Sequence, residues 1–122
     1  MKSKKKKLDS YQTVQAYIEA IKNEKWNKLF DLCQLTWKKG NTTTPEHFKN
    51  MYDMLLPIDK YTILKEDYGA KCWHRYSIII KKMSGTTITM NTNVICEKAP
   101  YTPDINGTWG VNPISTLKRE YL

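Results

Sequence analysis

The sequence predicts an α+β domain in which three N-terminal helices pack on one face of a curved antiparallel sheet of about four strands. Up to Pro57 the apolar residues recur at the three-and-four spacing of amphipathic helices. From Lys60 they alternate at period two, as half-buried strands do. Between the runs stand Gly, Pro and Asn clusters that punctuate one element from the next.

The first helix spans about Ser10 to Lys22, with Val14, Tyr17, Ile18 and Ile21 on one stripe and Asp9 or Ser10 as the N-cap. A three-residue polar break, Asn23-Glu24-Lys25, leads into a second helix. Its stripe is Trp26, Leu29, Phe30 and Cys33, and Leu35 and Trp37 carry the apolar trace on to a stop at Gly40-Asn41. Thr44 caps the third helix, Pro45 fills its first position and Glu46 complements the dipole. Phe48, Met51, Tyr52 and Leu55 form its stripe, and Pro57 ends it.

A first strand places Tyr61 and Ile63 on one face and closes at Tyr68-Gly69. A long hairpin follows, Lys71 to Lys82 and Thr86 to Glu97, around Met83-Ser84-Gly85, where Gly suits a positive φ. Cys72, His74, Tyr76, Ile78 and Ile80 share one face with Ile88, Met90, Thr92, Val94 and Cys96. The other face, with Thr87, Thr89, Asn91, Asn93 and Glu97, is the wetter one. Matching the apolar faces leaves two registers. One pairs Ile80 with Ile88 and Cys72 with Cys96; the other pairs Ile80 with Met90 and His74 with Cys96. A Pro-rich loop then reaches a short strand at Thr108 to Val111.

The length, 122 residues, suits one domain. Its boundaries read as a flexible basic tail over 1–9, the domain over 10–112 and a C-terminal tail over 113–122. The net charge of +8 is concentrated at the start, in Lys2, Lys4, Lys5, Lys6 and Lys7. Removing those five from the 20 basic residues leaves 15 against 12 acidic ones, a balance of +3. A folded nucleic-acid reader carries a basic face of its own, so contact with nucleic acid or an anionic surface is expected only through Lys4, Lys5, Lys6 and Lys7. No apolar run follows the lysines, as a secretory signal would need, and none has the length of a membrane span. A cytoplasmic protein is the expectation. Cys33, Cys72 and Cys96 form no CxxC or metal-ligand spacing and read as reduced thiols, although in the first register Cys72 and Cys96 stand opposite one another, where a disulfide is geometrically conceivable. The sequons at Asn41 and Asn106 are without consequence in that setting.

Tyr17-Ile18-Glu19-Ala20, the short elbow, Trp26, and a Glu97 strand followed by a turn and the Trp109 strand together resemble the nuclear-transport-factor-like superfamily, also called SnoaL-like or ketosteroid-isomerase-like. The resemblance covers about residues 10 to 112. It implies a cystatin-like cone able to enclose a pocket, and dimers formed through the outer sheet face. In that group the isomerases use a pocket aspartate as base, with a Tyr and a second acid as donors to an oxyanion. The hairpin strands here offer no matching acid: Asp67 stands at a strand end and Glu97 has the outer parity. The group hosts enzymes, carriers and assembly modules alike.

The favoured reading is therefore a non-catalytic module that binds a small apolar ligand or serves assembly, with no cofactor and no metal. Its pocket is expected to be lined by Tyr17, Tyr52, His74, Tyr76 and Trp109, and its partner is a second copy across the outer sheet face. Two alternatives stand beside it. One is a basic protein contacting nucleic acid through its lysine tail. The other is an isomerase-like or lyase-like enzyme in which His74, with Tyr76 or Tyr52, moves a proton near neutral pH.

Overall fold

A computed structural model describes residues 7–40, 44–66 and 70–113. Lys2 to Lys6, the Asn41 sequon, Asp67 with Tyr68-Gly69, and residues 114–122 lie outside the described residues. The predicted fold class holds: N-terminal helices cover one face of a curved antiparallel sheet.

Among the described residues four helices precede the sheet: α1 (Ser10–Lys22), α2 (Trp26–Asp31), α3 (Leu35–Gly40) and α4 (Pro45–Tyr52), with a 3-10 turn at Asp53–Leu55. Asp9 caps α1 in a reciprocal box: its side chain accepts from the Gln12 amide, and Gln12 accepts from the Asp9 amide. Thr44 caps α4 as predicted, its hydroxyl accepting from the His47 amide at 3.2 Å. The expected second helix is two helices. Leu32, Cys33 and Gln34 leave helical geometry because their backbone pairs with the last strand. Gln34 N–H donates to the Val111 carbonyl and Val111 N–H to the Leu32 carbonyl, each at 2.8 Å.

The strands are β1 (Ile58–Glu66), β2 (Trp73–Lys82), β3 (Thr87–Ala99), β4 (Thr102–Pro103) and β5 (Thr108–Asn112). β1, β2 and β3 form a meander, and both β4 and β5 pair with β3. Of the two registers open in the sequence, Ile80 opposite Ile88 is the one formed. A three-residue loop fixes it: Lys82 N–H bonds the Thr86 carbonyl, and Gly85 sits at φ +92°.

The core lies between the helical stripes and the predicted sheet face. Val14, Tyr17, Ile18, Ile21, Leu29, Phe48 and Tyr52 pack there with Tyr76, Ile78, Ile80, Met90 and Val94, all at most 1% exposed. An aromatic chain runs through it, Trp37 to Phe48 at 5.7 Å, Phe48 to Tyr52 at 6.5 Å and Tyr52 to Tyr17 at 5.9 Å between ring centroids. Each such contact adds about 0.5–1.5 kcal/mol to the burial itself. The opposite face is polar and partly open. Ser77 bonds Asn91 at 3.1 Å, Trp73 bonds Asn93 at 3.1 Å, and Arg75 pairs with Glu66 at 3.1 Å.

Glu97 needs a correction. Its parity assigns it to the wet face, yet it is 2% exposed. The start of α3 lies over it: its carboxylate accepts from the Thr36 amide at 3.0 Å and from the Thr36 hydroxyl. Gly110 shows how close the same region is packed. A Cβ there would stand 2.6 Å from the Gln34 Cα, so β5 meets the 33–34 segment only through glycine.

Candidate functional site

The five side chains expected to line a pocket fall into two groups. Tyr17 and Tyr52 form one, with hydroxyls 2.5 Å apart and neither ring exposed to solvent. Tyr76, His74 and Trp109 form the other, joined through Ser10. The Ser10 hydroxyl is 2.7 Å from the Tyr76 hydroxyl and 2.6 Å from His74 Nδ1. The His74 ring stacks on Trp109, with centroids 4.6 Å apart and planes 27° from parallel. The secondary structure sets this up. His74 opposes Val94 and Trp109 opposes Cys96, so the two rings approach diagonally across β3. Ser10 arrives from the first turn of α1, one step back along the Val14–Tyr17 stripe.

Burial raises the Tyr17 phenol well above its ordinary value, and the neighbouring Tyr52 adds to this. Burial also raises the Tyr76 phenol, against the opposing effect of its bond to Ser10. Both are therefore neutral hydroxyls near neutral pH. The two tyrosines named as partners of His74 differ in reach. Tyr76 connects to it through one hydroxyl, whereas Tyr52 is engaged by Tyr17.

Trp109 also borders a cleft of about 490 Å³ between the start of α1, the end of α2 and β5. Leu8, Leu32 and the indole supply apolar walls; Lys7, Lys28 and Asp31 bring charge, and Thr13 and Thr108 bring hydroxyls. Lys7, placed in the flexible tail by the sequence, is tied to the fold here, its ammonium donating to the Asn106 carbonyl at 2.6 Å. Lys4, Lys5 and Lys6 lie outside the described residues. A smaller cleft of about 390 Å³ sits at the α1–α2 elbow, beside Trp26 and Pro45.

Sequence reasoning named Trp109 but missed Leu8, Lys28, Asp31 and Leu32, which reach it from the residues before α1 and from the end of α2, the latter held by the backbone pairing of Leu32 and Gln34 with Val111. Ser10 was within reach, because it extends the α1 stripe by one turn. Among the described residues, no group of three or more His, Cys, Asp or Glu is placed to hold a metal ion. Among them, too, no helix is long and apolar enough to cross a membrane.

Helices come first, then an antiparallel sheet in which the Trp109 strand pairs with β3, the element order expected from the sequence. No protein-family model matches the sequence, and no curated protein matches it. Among solved structures, an NTF2-like protein of unknown function from Cytophaga hutchinsonii is similar over 89% of this chain and 93% of its own. The identity is 15% and the TM-score 0.46.

Proposed function

We propose that this protein is a non-catalytic binding module of the cone fold, cytoplasmic, whose ligand is a small, flat, largely apolar molecule. The observation that carries this is the cleft at Trp109. One face of the indole is held by His74, and the ring edges a cavity of about 490 Å³ with two leucines and a mixed charged rim. Pockets of this size with apolar walls and a few polar groups suit small ligands. The hydroxyls deeper in the cone are engaged with one another, which favours the cleft over the interior as the site.

The test is titration of the full chain with anilinonaphthalene sulfonate, a flat apolar anion, followed by its fluorescence. Saturable binding that weakens about tenfold in Trp109→Ala, a loss of about 1.4 kcal/mol, supports the reading. Binding that is indifferent to Trp109→Ala and to Leu32→Ala removes the cleft as the site.

A second reading, assembly, is favoured by the outer sheet face, where Leu64, Trp73 and Ile79 are 49%, 45% and 38% exposed. These side chains make that face suited to a second copy of the chain. Sedimentation should then give a dimer, and Ile79→Lys a monomer.

A further inference from the structure

Cys72 and Cys96 face each other at the end of the hairpin. The ladder that pairs His74 with Val94 and Trp73 with Ile95 continues one step, and the Cys96 amide donates to the Cys72 carbonyl at 2.8 Å. Hydrogen-bonded partners in an antiparallel pair keep their Cα atoms about 5.5 Å apart, inside the roughly 4.4–6.8 Å that a disulfide spans. Directly opposed side chains also share a face. Cys72 stands one residue before β2 begins, so its backbone has room for the small approach the bond needs.

The three thiols are unequal. Cys72 is half-buried, while Cys96 is buried with its sulfur 3.8 Å from the Ile105 carbonyl. Cys33 is buried elsewhere, its thiol donating to the Leu29 carbonyl.

We propose that Cys72 and Cys96 form a thiol–disulfide site that a small disulfide such as oxidised glutathione converts to an intramolecular bond. The Cys72 thiolate attacks the oxidant, breaking its S–S bond, releasing one glutathione and leaving the other joined to Cys72. The Cys96 thiolate then attacks the Cys72 sulfur and expels the second glutathione. One disulfide is reduced and one formed, and the two cysteine protons end on the two glutathione thiols. Burial, and then the neighbouring Cys72, hold the Cys96 thiol above its ordinary value, so the second step quickens as pH rises. Cys96 is also the β3 partner of Trp109, so the bond lies on the strand next to the one that carries the cleft wall. The site stands independently of any ligand in that cleft.

The full chain is treated with oxidised glutathione, denatured, alkylated and digested with trypsin. Before alkylation the oxidised chain is expected to be about 2 Da lighter, as loss of two hydrogens requires. In the digest the fragment Cys72–Arg75 is joined to Met83–Lys98, and Cys33 is alkylated. Dithiothreitol restores three thiols. Cys33→Ser keeps the lighter species and Cys72→Ser abolishes it. A stable glutathione adduct on Cys72 with Cys96 still free overturns the proposal. So does a bond that involves Cys33 or joins two chains, or the absence of any thiol loss.

Discussion

His74 and Trp109 stack across an intervening strand, with ring centroids 4.6 Å apart, and so tie β2 to β5 on the helix-facing side of the sheet. Trp109 is thereby held from one side while its other contacts open on the cleft. Trp109→Ala should cost about 2 kcal/mol of stability through lost apolar burial and lost stacking. Trp109→Phe should retain most of it, because a ring remains to stack on His74. Urea denaturation of the three proteins checks this. Equal losses for Ala and Phe mean that the stack contributes nothing.

Glu97 and Thr36 are joined by two hydrogen bonds, and the Thr36 hydroxyl in turn accepts from the Tyr101 amide at 2.8 Å. The carboxylate therefore anchors α3 to the end of β3. Glu97→Ala should lower stability by about 1.5–3 kcal/mol, the range for a hydrogen-bonded charged group. Combined with Thr36→Val, the double variant should lose less than the sum of the singles. Strictly additive losses in a double-mutant cycle remove the coupling.

The same residue marks where the sequence stopped being legible. The α1 and α4 stripes, both caps, the Gly85 turn and the buried sheet face were all readable, because each is a local pattern or a parity. The break at Leu32-Cys33-Gln34 was not, because it is made by backbone bonds to Val111, far along the chain. Without that break α3 does not exist as a separate helix, and nothing predicts a cover over Glu97. The cleft was missed for the same reason: its α2 wall is positioned by the docking of that break on β5. Trp109 and His74 were named singly, but their contact needed the register, which the sequence left between two choices.

Thr92 is fully buried opposite Tyr76, and its hydroxyl has no hydrogen-bond partner among the described residues. Valine has nearly the same shape and no polar atom to desolvate. Thr92→Val should therefore raise stability by roughly 1 kcal/mol, where an unmatched buried hydroxyl costs about 1–3 kcal/mol. Thermal melting of the variant decides it. A lower midpoint would show that the hydroxyl is satisfied in solution.

Cys33 sets the behaviour at high pH. Burial pushes its thiol from an ordinary 9.0 up to about 12, with Lys38 pulling the other way. The folded state therefore holds the proton through a range in which the unfolded chain has released it. A group raised in this way supports the fold fully below its unfolded value and loses that support as pH climbs to the folded one. Stability should be level up to about pH 9 and then fall by as much as about 1.4 kcal/mol per pH unit from this thiol as pH approaches 12. Tyr17, raised in the same direction, steepens the fall from about pH 10. Urea midpoints measured from pH 7 to 11 give the profile. Cys33→Ala, weaker at neutral pH through the atoms it removes, should show a shallower decline above pH 9. A decline as steep as in the unaltered protein places the alkaline sensitivity elsewhere.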